Sequence, residues 1–194
     1  MPNKPSTSDR ILQSALQLMK NKGFQLVTIK EIADQADVSE MTVFRHFETK
    51  KGVLEAAIEK NTVVPRFQQT LEKDLVWDLE KDLLLIADLY LDLMIRNESI
   101  CLIAVQERTS MPELVDLISD NTEQLKGFIT SYFNTMQEKG KMIRADSYTQ
   151  ASTFLATLFS YFISTALWGG KFISLTKEEF IKNSVQTFCY GLHQ

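Results

Sequence analysis

Glycine and proline are scarce in this sequence, seven and four among 194 residues. So few turn-formers argue against a many-turned β-sandwich, and no glycine-rich loop is present to cradle a phosphate. Histidine is scarcer still, with only His46 and His193. No Ser/His/Asp or Cys/His arrangement and no metal-spaced cluster accompanies them. The expectation is therefore no enzyme, no cofactor and no metal, with catalysis by carboxylates alone the one enzymatic reading left open. The two cysteines, Cys101 and Cys189, stand 88 positions apart in apolar surroundings. Buried, reduced thiols are expected, and one long-range disulfide is the alternative. The opening MPNKPSTSDR lacks the apolar core of a secretory signal, which sets a cytoplasmic expectation.

An excess of positive charge is also missing. The net charge is −4, which excludes a globally basic nucleic-acid binder but not a local one. Residues 1–60 hold nine basic and eight acidic side chains, the remainder twelve and seventeen. Against these shortages, 44% of the chain is apolar, enough for a sizeable core. The longest uncharged stretch, 147–170, could span a bilayer by length. Its four Ser, four Thr, one Gln and two Gly favour a buried helix instead, contacted on all sides.

What is abundant is helix chemistry. Ser6 or Ser8 can cap a first helix, with Asp9 in its first turn and Gly23 at its end. Ile11, Leu12, Ala15, Leu16 and Met19 recur along it at helical spacing. Thr28 and Glu31 form a capping box, with Val27 and Ile32 as a hydrophobic staple. Ser39 caps the next helix and Thr49 the one after. Two short helices joined by about three residues, flanked by longer ones, make a helix-turn-helix pattern over 28–47. Pro65 is expected to kink or end the helix that begins near Thr49. Later helices are placed near 79–96, 98–109, 112–139, 147–168 and 176–191, about nine in all.

The run Thr28-x-x-x-Ile32-Ala33-x-x-Ala36-x-Val38-Ser39-x-x-Thr42-x-Phe44-x-His46-Phe47-x-x-Lys50-x-x-x-Leu54 resembles the DNA-binding domain of the TetR (tetracycline-repressor) family. Arg10-Ile11-Leu12, Ala15 and Lys22-Gly23-Phe24 extend the match upstream. Three positions depart from it: Asp37 stands where glycine is common, Met41 where a small residue is frequent, and Phe44 where tyrosine is usual. The resemblance implies an all-α protein with a three-helix DNA-binding domain at 1–50. A larger helical effector-binding and dimerisation domain is implied at 51–194. It further implies a homodimeric, cytoplasmic, ligand-responsive transcriptional regulator, most commonly a repressor on a palindromic operator. Its partners would be double-stranded DNA, a second copy of the chain and a small effector.

Residue chemistry refines these expectations. Glu40, Met41 and Thr42 lie at the entering end of the recognition helix, where Glu can accept from cytosine and the methyl groups can meet thymine. Phe44, Arg45 and His46 complete the exposed face, and Arg45 can reach a guanine or a phosphate. Thr28, Ser39 and Lys50, at helix starts, are candidates for phosphate contact. Capping alone is the alternative for Thr28 and Ser39, packing for His46, and a favourable helix dipole for Glu40.

For the dimer, Ser152, Ala156, Ser160 and Ser164 recur every four residues as a small-residue ridge. Phe159, Ile163, Phe180, Ser184 and Phe188 are the companion candidates, although packing within one chain would produce a similar pattern. Phe67, Trp77, Tyr90, Met94, Cys101, Glu107, Phe128, Tyr132, Met136 and Trp168 form either an apolar or aromatic effector pocket or ordinary core. The rival function is a DNA-binding factor with no small-molecule switch, governed by a protein partner or acting constitutively.

Overall fold

The computed structural model describes residues 5–61 and 64–192, and every regular element among them is an α-helix. They are α1 (Thr7–Lys22), α2 (Ile29–Ala36), α3 (Glu40–Phe47), α4 (Lys50–Asn61), α5 (Val64–Asp74), α6 (Leu79–Arg96), α7 (Glu98–Gln106), α8 (Pro112–Glu138), α9 (Ser147–Trp168) and α10 (Lys177–Leu192). The expected count was one short, and the missing helix is α5. Pro65 is its second residue, not the terminator of a long α4. Proline has no N–H to contribute, and the first turn of a helix needs none. His193 lies outside the described residues.

The chain divides into two compact units. One is Met1–Thr62 with Asn97–Leu117, the other Val63–Arg96 with Ile118–Gln194. The unit around the helix-turn-helix therefore reaches beyond the expected boundary at residue 50 and takes in α4 and α7. The reason is shared apolar surface. Helix α1 packs against α2, α4 and α7, and α3 packs against α2 and α4. Ile11, Ala15 and Met19 of α1 are fully buried, as are Ile32, Val43, Val53 and Ile103. Each large aliphatic side chain so buried contributes about 1.5–3 kcal/mol before entropy is counted.

In the second unit α6 packs on α5, α9 and α10, and α9 packs on α10. Phe154 of α9 meets Phe188 edge-on at 5.0 Å, and Tyr161 stacks on Phe180 at 4.7 Å. Lys177 at the start of α10 pairs with Asp88 at 2.7 Å and with Asp92, both on α6. Fully buried Asp82 accepts from the Val76 N–H and the Tyr132 hydroxyl, each at 2.9 Å, which closes the loop before α6. Burial and this carboxylate drive the Tyr132 hydroxyl far above its ordinary range, so it stays a donor.

Helix α9 is long and apolar enough to cross a membrane. Within the chain, however, Ala151, Phe154, Leu155, Leu158, Tyr161 and Phe162 bury one side of it. Ala156, Phe159 and Ser160 on the other side are exposed in the single chain. Cys101 and Cys189 are both free thiols, and burial pushes each up to about 11.

Candidate nucleic-acid interface

The site begins with three local caps. Glu31 N–H donates to the Thr28 hydroxyl at 3.2 Å, and the Glu31 carboxylate returns the contact to Thr28 N–H at 2.9 Å. Lys22 adds a 2.7 Å ion pair to the same carboxylate. Lys22 first, then the Thr28 amide and hydroxyl, hold Glu31 at a pKa of about 2. Helix α2 then stops at Asp37, which takes the left-handed conformation (φ 53°, ψ 55°) that glycine would otherwise supply. Two residues on, Ser39 accepts from Thr42 N–H at 3.2 Å and starts α3, and the Ser39 and Thr42 hydroxyls bond to each other at 2.9 Å.

Helix α3 buries Val43 completely against the unit and turns most of its remaining surface outward. Glu40, Met41, Phe44, Arg45 and His46 are exposed, and Thr42 is half-buried. Met41 is 74% exposed and Phe44 45%, large apolar side chains on a face that also carries Glu40, Arg45 and His46. The far end of α3 is held by close packing. A Cβ on Gly52 of α4 would run into the Phe47 carbonyl, so only glycine lets α4 start there without displacing α3.

Two residues have roles other than those expected. The Lys50 ammonium donates to the carbonyls of Phe24 and Val27, each at 2.7 Å, and of Gln25 at 3.1 Å. It also lies 4.4 Å over the Phe24 ring. Three donor contacts thus tie Lys50 to the α1–α2 loop, a role beyond the expected phosphate contact. Glu107, expected in a pocket, is buried and accepts from Phe24 N–H at 2.9 Å and from the Ser110 hydroxyl. Its carboxylate is spent within the helix-turn-helix unit. No local pattern in the sequence signals this role, because the partner of Glu107 lies 83 residues away.

The other pocket candidates are distributed over the two units. Cys101 belongs to the first unit with Glu107. In the second unit Phe67, Tyr90, Tyr132 and Met136 are buried, and Trp77, Met94 and Phe128 are half-buried. Trp77 and Tyr132 do come together, stacked at 5.9 Å. Trp168 is 52% exposed and instead lines an open hollow with Leu167, Gly169, Lys171 and Phe172.

The ridge on α9 is also only partly as expected. Ala156, Phe159 and Ser160 are exposed, and Ser152 and Ile163 half-buried, on one uncharged face. Ser164 is fully buried and its hydroxyl accepts from Ile173 N–H at 2.8 Å. A four-residue step advances about 40° around a helix of 3.6 residues per turn, so three steps carry Ser164 off the face that Ser152 occupies. On α10, Phe180 is buried against Tyr161, while Ser184 and Phe188 are half-buried.

Two short helices, a left-handed Asp turn and an outward-facing second helix define a helix-turn-helix DNA-binding unit. Residues 11–57 match the family model described as bacterial regulatory proteins, tetR family. The chain is 31% identical over 186 residues to the uncharacterized HTH-type transcriptional regulator YvkB of Bacillus subtilis (strain 168), covering 96% of this chain and 97% of that one. It belongs to the TetR family, whose members are DNA-binding transcriptional regulators and not enzymes. Two solved structures share the fold. A Saccharomonospora viridis chain in complex with choline has a TM-score of 0.77 at 22% identity, over 96% of this chain and 97% of that one. The ketosteroid transcriptional regulator KstR2 of Mycobacterium tuberculosis has a TM-score of 0.75 at 15% identity, over 99% and 97%.

Proposed function

We propose that this TetR-family chain is a dimeric, cytoplasmic repressor that reads a palindromic operator through α3 and leaves it when a small effector binds the second unit. The observation that carries this reading is the outward face of α3, where Glu40, Met41, Phe44, Arg45 and His46 are exposed on a helix whose position is set by Val43 and Gly52. In a major groove, Met41 with Thr42 suits thymine methyls, Glu40 suits a cytosine amine, and Arg45 suits a guanine or a phosphate. The exposed amide end of α2 at Thr28, Ser39 at the start of α3, and His46 supply phosphate-binding groups.

A two-fold partner is supported by the uncharged exposed face of α9 around Ala156, Phe159 and Ser160. A half-site reader with one short recognition helix gains its affinity by doubling. An apolar or aromatic effector is supported by the Trp77–Tyr132 stack and the Phe67, Tyr90 and Met136 side chains of the second unit. A chain of the same fold in complex with choline supports a small-molecule effector for this one.

The test is selection of duplexes from a random pool by the purified protein, with the bound complex sized. Enrichment of a palindrome bound by an even number of chains supports the reading. Sequence-indifferent binding, or no binding at low salt, overturns it.

A further inference from the structure

We infer that Glu107, in the turn between α7 and α8, is a positioning residue for operator binding, holding the 23–28 loop from which α2 presents its amide end. The inference rests on the DNA-binding reading above and extends it to a residue far outside the helix-turn-helix in sequence.

The loop is gripped from two directions. Glu107 takes the Phe24 N–H at 2.9 Å, and Lys50 takes the Phe24 carbonyl at 2.7 Å. One peptide segment is thus held at both its donor and its acceptor by charged side chains of opposite sign. Charge-assisted bonds of this kind are the stronger ones, and here the carboxylate is buried. The approach is also close. Gly23 has φ +83°, and a Cβ there would lie 3.4 Å from the Glu107 carboxylate. The backbone conformation favours glycine at the end of α1, and a Cβ there would only touch the carboxylate at ordinary contact distance.

The same turn is tied down elsewhere in the unit. Ser110 donates to the second Glu107 oxygen, and Gln106 donates to the Lys20 carbonyl at 3.2 Å. At the other end of α7, Glu98 pairs with Lys20 at 2.8 Å. Helix α7 is thereby fastened to α1 along its length, and the Glu107 contact is the one that reaches the loop. Four residues after Phe24 comes Thr28, whose cap orders the first amides of α2. If the loop shifts, those amides shift with it, with no change in any side chain that faces DNA. Residues 97–117, which carry Glu107, belong to the helix-turn-helix unit and are flanked in sequence on both sides by residues of the second unit.

The experiment compares full-length wild type, Glu107→Ala and Glu107→Gln by amide hydrogen exchange and by affinity for the duplex that wild type selects. Glutamine keeps an acceptor for Phe24 N–H and alanine does not. Glu107→Ala is expected to lose about tenfold in exchange protection at Phe24 and about tenfold in duplex affinity, the equivalent of one charge-assisted hydrogen bond. Protection of the Ala15 and Met19 amides in α1 is expected to stay unchanged, and Glu107→Gln to recover most of both losses. The inference is overturned if Glu107→Ala leaves Phe24 protection and affinity as they were. Equal loss of protection throughout the unit, the mark of general destabilisation, overturns it as well. Ser110→Ala, which removes the hydroxyl contacts to the second carboxylate oxygen and to the Glu107 carbonyl, serves if Glu107→Ala does not fold, with a smaller loss in the same direction expected and no change overturning the inference. A wild type that selects no duplex sinks the operator reading, while the exchange at Phe24 still decides whether Glu107 holds the loop.

Discussion

Helices α3 and α9 each expose large apolar side chains, yet they prepare very different surfaces. On α3, Met41 and Phe44 stand among Glu40, Arg45 and His46. On α9, Phe159 and Leu167 stand among Ala, Ser and Thr, with no formal charge anywhere in the helix. A mixed, charged face remains well hydrated until it meets a polyanion whose groove offers both methyl groups and hydrogen-bonding edges. An uncharged face flanked by small residues gains most from another helix that can approach closely. Exposure alone does not separate the two surfaces; the neighbours of each exposed side chain do.

The two sides of α9 should differ most. Phe154→Ala removes a fully buried ring that meets Phe188, and about 3–5 kcal/mol of stability should go with it in chemical denaturation. A loss below about 1 kcal/mol would mean that α9 does not anchor its unit in this way. On the opposite side, Ala156→Leu combined with Ser160→Leu should leave folding intact and shift the protein from dimer to monomer in analytical ultracentrifugation. A double variant that still sediments as a dimer would remove α9's small-residue face from the proposed interface.

The face of α3 should respond in DNA affinity, not stability. Arg45→Ala should weaken duplex binding by about 1–3 kcal/mol and relax the preference at one base pair. Uniform weakening across sequences, with a shallower salt dependence, would assign Arg45 to a phosphate.

The smallest effect expected is in acid. Glu31 is held at about 2 against an ordinary 4.5, so its contribution is present above about pH 4.5 and is lost as the pH falls through 2. Helicity followed from pH 6 to pH 2 should show the difference between wild type and Glu31→Gln shrinking over that window. A constant difference would mean that the Lys22 and Thr28 contacts do not depend on the charge.

Much of the first unit was readable because its signals are local. Ser6, Thr28, Ser39 and Thr49 each accept from a backbone N–H three residues ahead, so donor and acceptor lie within one turn of sequence. Asp37 could be anticipated as a left-handed turn for the same reason. Helix α5 was missed because proline serves equally to end one helix and to begin another, and only the chain's path distinguishes these. The exposed face of α3 was legible from one buried residue, Val43, and its spacing. The pocket was not, because aromatic and sulfur-containing side chains at helical spacing describe a core and a ligand site alike.

By itself the sequence determined that the protein is helical, where most of its helices start, and which residue of α3 turns inward to leave the rest of that short helix exposed. Those outcomes depend on contacts within about four residues, where the polypeptide has few alternatives. Tertiary structure decided that Lys50 and Glu107 are spent on the Phe24 segment, that Ser164 turns inward while Ser160 stays outside, and that α7 belongs with the helix-turn-helix. Each of those depends on which distant surfaces meet. A charged side chain follows the nearest buried, unpaired backbone group, and that group is brought near only when the chain has folded.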